Sequence, residues 1–152
     1  MPLLKNLILF LCLAGLFSCA KHKAKKQAEK DKSIITKYIA DNNLDASATG
    51  SGLYYVIKTQ GTGAQPDASS TVTVNYRGYL SDGTVFDQSA ITGLSFPLSS
   101  VIKGWQEGIP YFKKGGKGIL LIPSALGYGT QASGKIPANS VLIFDIELLD
   151  VK

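Results

Sequence analysis

Two stretches with an apolar residue at every second position constrain the fold of this 152-residue chain most. Residues 71–79 place Val72, Val74 and Tyr76 on one face, with polar side chains between them. Residues 140–149 repeat the alternation, with two acidic residues on the polar face. A period of two is typical of strands that bury one face. We therefore predict a largely antiparallel sheet with one face against the core.

The other elements complete an α+β pattern. Strands are predicted at residues 53–58, 84–86 and 118–122 because these segments are rich in β-branched and aromatic residues. The turn Ser81-Asp82-Gly83 is expected to join two of the strands as a hairpin. One short helix is predicted at residues 101–109, where Pro110 ends or kinks it. Many antiparallel strands with one short helix to cover them predict an α+β domain.

The segment before the domain is predicted to be a basic linker, residues 20–51. Residues 20–49 carry seven lysines and four acidic residues, and residues 21–32 have no apolar periodicity. Such a run can touch nucleic acid or anionic lipid, but a solvated, disordered linker is the commoner structure, so no nucleic-acid partner is predicted. The folded domain is placed at residues 52–152.

A short helix of about two turns is predicted inside this linker. Ser33 is a candidate N-cap, and four apolar residues follow it at helical spacing. They are Ile34, Ile35, Tyr38 and Ile39. This cluster is far shorter than a coiled-coil seam, so the chain is predicted to be a monomer.

The N-terminus resembles a bacterial lipoprotein signal. Lys5 precedes an apolar stretch at residues 7–17, which is too short for a membrane-spanning helix, and Leu16-Phe17-Ser18-Cys19 follows. The resemblance implies a signal peptide over residues 1–19 and acylation of Cys19. A plain secretory signal or an uncleaved anchor is the alternative. Ala20 stands where an aspartate would indicate inner-membrane retention, so an outer-membrane anchor facing the periplasm is predicted.

Several classes of chemistry are excluded by residue type. His22 is the only histidine and lies in the linker, which rules out a Ser-His-Asp triad or a histidine-rich zinc site within the domain. Cys12 and Cys19 are the only cysteines, and neither belongs to the domain. The domain therefore has no disulfide or thiolate metal site, no metal is predicted, and no dinucleotide fingerprint points to a cofactor.

Five aromatic residues and one carboxylate are the best remaining candidates for a functional site. They are Tyr76, Phe86, Trp105, Tyr128, Phe144 and Asp87. Taken singly, buried aromatic residues usually just fill a core. Their local contexts nevertheless predict that the set lines one apolar pocket with the carboxylate at its edge.

The contexts of these residues resemble, in order and spacing, the motifs of the FKBP-type peptidyl-prolyl isomerases. The similarity covers about residues 52–152 and rests on five segments. They are Val74-Asn75-Tyr76-Arg77-Gly78, Asp82-Gly83-Thr84-Val85-Phe86-Asp87, Val101-Ile102-Lys103-Gly104-Trp105, Leu126-Gly127-Tyr128-Gly129, and Ile136-Pro137 with Val141-Leu142-Ile143-Phe144-Asp145. The resemblance implies a twisted five- to six-stranded antiparallel sheet wrapped over one short helix. It also implies isomerisation of X–Pro bonds without a cofactor.

The resemblance further implies a role for each site residue. Trp105 is expected to form the pocket floor, and the hydroxyl of Tyr128 and the backbone N–H of Ile102 to bind substrate carbonyls. Asp87 is expected near the rotating carbonyl as an electrostatic group. The pocket walls and cover are expected from Tyr76, Phe86, Val101, Ile102, Ile136 and Phe144.

Some positions depart from the family pattern. Residues 88–95 hold no basic residue, so a salt link to Asp87 is not expected, and Leu94 stands where an aromatic residue is common. Ala132 and Lys135 replace larger or apolar residues of the covering loop, which leaves macrolide affinity and the preferred residue before proline open. The predicted partners are proline-containing exported polypeptides. A holdase that uses the same groove without turnover is the alternative function.

Overall fold

The structure is a computed structural model that describes the backbone of residues 2–152 and the side chains of residues 19–152. The side chains of the predicted signal peptide before Cys19 therefore lie outside the described part. The chain forms two α-helices, α1 (Pro2–Asp41) and α2 (Lys103–Gly108). Its strands are β1 (Ser47–Ala48), β2 (Tyr54–Thr59), β3 (Thr71–Tyr79), β4 (Val85–Gln88), β5 (Leu94–Pro97), β6 (Lys117–Ile122) and β7 (Leu142–Val151).

All seven strands join one antiparallel sheet in the order β1-β2-β6-β7-β3-β4, with β5 also paired to β3. One edge of β3 pairs with β7 along most of its length, while the other edge is shared by β4 and β5. Between these two short strands, the Ser89 hydroxyl oxygen accepts the Tyr76 N–H at 3.0 Å. The α+β class is confirmed, with two strands, β1 and β5, that the sequence pattern did not predict.

The inner face of the sheet holds the main core, and α2 lies against it. Trp105 and Phe112 pack there with the apolar residues of β3, β6 and β7. Gly108 faces the sheet, where a Cβ atom would lie 2.7 Å from the Leu120 side chain. The absence of a side chain lets α2 approach the sheet closely. The helix is shorter than predicted, because Pro110 lies in a 3-10 turn, Ile109–Tyr111, that follows it.

The outer face is covered in part by α1, which contradicts the predicted linker with a two-turn helix. Residues 20–41 are continuously helical, and Ile35 is fully buried. Ile35 joins an outer cluster whose other buried members are Val56, Ile119, Leu121, Val141 and Ile143. The prediction failed because lysine, alanine, glutamine and glutamate favour helix without apolar periodicity, and because tertiary packing stabilises the apolar end.

The end of α1 has a clear local cause. Asn43 adopts a positive φ of 50°, and the N–H groups of Asn43 and Leu44 donate to the carbonyls of Ala40 and Ile39 at 3.2 and 3.0 Å. These two bonds form a Schellman motif, which satisfies carbonyls at the helix end. The side chains of Leu44 and Ile39 both pack against the outer cluster. No helix in the described part of the chain is long and apolar enough to cross a membrane.

Candidate active site

A cavity of about 610 Å³ opens on the inner face, between α2, the β4–β5 edge and the loop before β7. All nine pocket residues predicted from the sequence line it. They are Tyr76, Phe86, Asp87, Val101, Ile102, Trp105, Tyr128, Ile136 and Phe144. Their juxtaposition is a fact of the fold, whereas the role of each remains a prediction.

Trp105 lies at the base of the cavity and is only 5% exposed. Its ring centroid lies 5.0 Å from that of Tyr76 and 5.1 Å from that of Phe144, with near-perpendicular planes in both cases. Edge-to-face contacts of this kind are favourable because the positive ring edge meets the negative ring face. The Nε1 atom is buried without a hydrogen-bond partner among the described residues. The ring position is therefore set by packing.

Phe86 and Phe144 form a third near-perpendicular pair, in the cavity wall, with centroids 5.5 Å apart. Gly78, on the neighbouring strand β3, makes this pair possible. A Cβ atom at Gly78 would lie 2.5 Å from Phe86 and 2.7 Å from Phe144, closer than real side chains approach. Gly78 thus leaves room for the two wall rings, although it does not itself line the cavity.

Asp87 lies at the cavity mouth with a donor on each carboxylate oxygen. The Tyr76 hydroxyl donates to Oδ2 at 2.7 Å, and the Gln88 N–H donates to Oδ1 at 2.9 Å. Partial burial, together with this hydrogen bond and the charge of Asp87, raises the pKa of Tyr76 to about 12. Tyr76 thus holds the carboxylate as a neutral donor, and no lysine or arginine among the described residues forms an ion pair with Asp87.

The polar groups at the rim come from two loops. Tyr128 is 42% exposed between Gly127 and Gly129, so its hydroxyl is accessible from the cavity mouth. Ile102 precedes α2, and its carbonyl accepts the Trp105 N–H at 2.9 Å. Its own N–H donates to no protein acceptor within the described residues. The rim therefore offers two donors, a phenol and a backbone amide.

The covering loop is held by its own backbone. Ser133 and Ile136 exchange two hydrogen bonds of 2.9 Å, which form an isolated bridge. This places Ile136, only 5% exposed, against the cavity. Lys135 also lines the cavity, and its side chain is exposed at the mouth.

Four lining residues were not predicted. Phe96 packs on Trp105 with centroids 5.3 Å apart, and the others are Ser100, Ser133 and Gly134. The only available signal for Phe96 was its alternation with Leu94, which spans too few residues to identify β5. Leu94 itself, noted as a departure, also lines the cavity and is 52% exposed.

Comparison with known proteins identifies the family of the chain. A family model described as FKBP-type peptidyl-prolyl cis-trans isomerase matches residues 62–149. The chain is similar to the FKBP-type peptidyl-prolyl cis-trans isomerase FkpA of Aeromonas hydrophila, at 43% identity over 136 residues, covering 87% of this chain and 51% of that protein. The chain spans about half the length of the curated relatives it matches.

Solved structures share the fold. The crystal structure of FkpA from Escherichia coli matches with a TM-score of 0.72 and 41% identity, covering 97% of this chain and 71% of that one. A peptidyl-prolyl cis-trans isomerase from Pseudomonas syringae pv. tomato matches with a TM-score of 0.74 and 33% identity, covering 84% of this chain and 95% of that one.

Proposed function

Because the chain belongs to the FKBP-type peptidyl-prolyl cis-trans isomerase family, we propose that it catalyses rotation about X–Pro bonds in polypeptides. The observation that carries this proposal is the aromatic cavity with Trp105 at its base and a carboxylate and two free donors at its rim. The cavity volume of about 610 Å³ is large enough for a prolyl residue and its neighbours.

The proposed chemistry needs no nucleophile and no proton transfer. Resonance holds the peptide bond planar with a barrier of about 18–20 kcal/mol, and uncatalysed X–Pro exchange takes tens to hundreds of seconds. The planar amide is more charge-separated than the twisted one, so transfer from water into an apolar cavity favours the twisted state. That apolar environment is supplied by Trp105, Phe86 and Phe144. Their rings pack against the proline ring while the amide rotates.

The polar groups at the rim orient the bound substrate. In this proposal the Ile102 N–H and the Tyr128 hydroxyl, which both belong to cavity-lining residues, donate hydrogen bonds to substrate carbonyls. Asp87, fixed by Tyr76, acts on the rotating carbonyl through its charge. Because these groups are held before substrate arrives, they require little reorganisation during the rotation.

The test is a protease-independent prolyl isomerisation assay on the full chain, with Asp87→Asn as the diagnostic variant. The turnover rate should fall on the order of 10- to 100-fold, with a much smaller loss of ground-state peptide affinity. Asp145→Asn is the matched control, because Asp145 lies on the outer face of the sheet. Phe144→Leu should weaken both affinity and turnover.

Two outcomes would contradict this function. Unchanged turnover in Asp87→Asn would remove the carboxylate from the mechanism. A parent chain that suppresses aggregation of an unfolded client without any isomerisation would establish the holdase alternative instead. The exposed apolar side chain of Leu94, which lines the cavity, is the feature that favours this alternative.

For the cellular setting, we propose a lipid-anchored protein of the cell envelope that acts on exported polypeptides. Leu16-Phe17-Ser18-Cys19 supports acylation of Cys19, whose side chain is exposed. Ala20, in place of an aspartate after the cysteine, supports an anchor in the outer membrane with the domain facing the periplasm. Stable attachment then comes from more than one acyl chain.

Metabolic labelling with a fatty acid tests the anchor. Cys19→Ala should abolish the label and shift the protein out of the membrane fraction. Cys12→Ala is the matched control, because it removes the other cysteine of the chain and should leave labelling intact. Persistent label in Cys19→Ala would refute acylation at this site.

A further inference from the structure

Two polar residues outside the cavity lining are buried, and the proposed mechanism uses neither. Asp31 of α1 is 1% exposed and Ser124, after β6, is 2% exposed. They contact each other although 93 positions separate them in the sequence. Burying a carboxylate destabilises the fold unless its oxygens accept hydrogen bonds, so the partners of Asp31 are the next question.

Neutral donors pair with both carboxylate oxygens of Asp31. Its Oδ2 accepts the Ser124 N–H at 2.8 Å and the Ser124 hydroxyl at 2.6 Å, while Oδ1 accepts the Gln27 amide at 2.7 Å. Within residues 19–152, no lysine or arginine forms an ion pair with it. The two bonds to Oδ2 are short and enclosed, so this contact fixes Ser124 firmly to α1.

Ser124 in turn organises the segment that carries Tyr128. Its carbonyl accepts the N–H of Gly127 at 3.0 Å and the N–H of Gly129 at 2.8 Å. Tyr128 lies between these two glycines, so both of its neighbours are bonded to one oxygen atom. The carbonyl of Gly129 then accepts the Asn139 N–H at 2.7 Å, which ties the same segment to the covering loop.

We propose that Asp31 is a positioning residue for the active site, which acts through Ser124 to set the orientation of Tyr128 at the cavity rim. The inference rests on the proposed isomerase function for its catalytic consequence, but the contact itself does not. It makes α1 part of the framework of the site, although none of the α1 side chains that the structure describes, residues 19–41, lines the cavity. A merely structural Asp31 would stabilise the fold and leave Tyr128 unaffected.

Amide hydrogen exchange followed by NMR on the full chain tests the positioning directly. In Asp31→Ala, exchange at Gly127 and Gly129 should accelerate about tenfold or more relative to amides in β3 and β7. Ile35→Val is the matched control, because Ile35 is buried on the same helix but belongs to the outer cluster. It should leave the two glycine amides unchanged relative to the strands.

Conservative variants separate positioning from packing. In Asp31→Asn the amide oxygen can still accept both Ser124 bonds, and a rotated Gln27 side chain can accept the new N–H. Exchange should therefore return close to that of the parent. Ser124→Ala removes only the hydroxyl donor and should give an intermediate effect, which keeps the inference testable if Asp31→Ala does not fold.

Turnover supplies the second readout. Asp31→Ala should lower kcat/KM on the order of tenfold, and its effect should vanish in a Tyr128→Ala background, because both changes remove the same oriented side chain. Equal losses in both backgrounds, or parent-like exchange at Gly127 and Gly129 in Asp31→Ala, would overturn the inference. If the parent chain shows no turnover, the proposed function fails, and exchange at the two glycines still decides whether Asp31 holds the Tyr128 segment.

Discussion

Each face of the sheet is partly covered by its own helix, yet only the inner face forms an aromatic cavity. On the inner face, α2 spans only six residues and covers part of an apolar surface, so aromatic side chains beyond it remain accessible. On the outer face, α1 packs directly on the apolar side chains of the sheet, and Ile35 and Ile143 are fully buried. Incomplete coverage of an apolar face is therefore what produces the candidate site.

The open part of the outer face sharpens the contrast. It holds a second cavity of about 520 Å³, similar in size to the aromatic one. Its lining is largely charged or polar and includes Arg77, Asp145 and an ion pair between Lys117 and Glu147 at 2.8 Å. Cavity size alone thus fails to distinguish the two faces, whereas the chemistry of the lining does.

The largest expected effect is at the base of the aromatic cavity. Trp105→Ala should lower the free energy of unfolding by about 3–5 kcal/mol, because it leaves a large hole in the core. It should also abolish binding of a proline peptide. Chemical denaturation and peptide titration measure the two effects. Trp105→Leu keeps more of the packing, and parent-like peptide affinity in that folded variant would show that the indole is not the floor of the site.

A comparable change on the outer face should affect stability alone. Ile35→Ala should lower the free energy of unfolding by about 2–4 kcal/mol while peptide affinity stays at the parent value. Lys37→Ala is the control, because Lys37 is exposed on the same helix and pairs only with Asp41. A loss of peptide affinity in Ile35→Ala would mean that the two faces are not independent.

Tyr76→Phe should have a smaller and pH-dependent effect on the free energy of unfolding. It removes the hydrogen bond to Asp87 and should cost about 1 kcal/mol at neutral pH. The folded-state pKa of Tyr76 is raised to about 12 from the ordinary value near 10, first by burial and then by the carboxylate. The contribution is therefore complete below pH 10 and is lost as the pH rises through about 12.

The measurement is denaturant unfolding of parent and Tyr76→Phe between pH 8 and pH 12. The difference between the two proteins should shrink as Tyr76 ionises. Tyr111→Phe is the control, because Tyr111 stacks on Tyr55 away from the site. A difference that stays constant up to pH 12 would contradict the raised pKa.

The smallest effect is expected on the open part of the outer face. Lys117→Gln breaks the ion pair with Glu147, in which both side chains are about one third to one half exposed. Exposed pairs contribute at most about 1 kcal/mol, so thermal stability should change little and turnover not at all. A clear fall in turnover would show that the polar cavity takes part in function.

The inner face was largely predictable because its information is local. Alternation in β3 and β7 identified the strands, and short motifs identified the residues around the cavity. The packing of the outer face was not predictable in this way, because the burial of Ile35 depends on strands that follow it in the chain. The contact between Asp31 and Ser124 joins distant positions that have no pattern in common. Phe96 was missed for a different reason, since its strand is too short to show a period.

The continuous helix α1 also changes the geometry of attachment. A flexible segment of thirty residues would allow the domain to move within a radius of up to about 100 Å around its anchor. With Cys19 as the anchor, the helix up to Asp31 rises only about 18 Å, and from there it is fastened to the domain. The domain would then stay close to the membrane surface, so its cavity would sample a thin layer of the compartment.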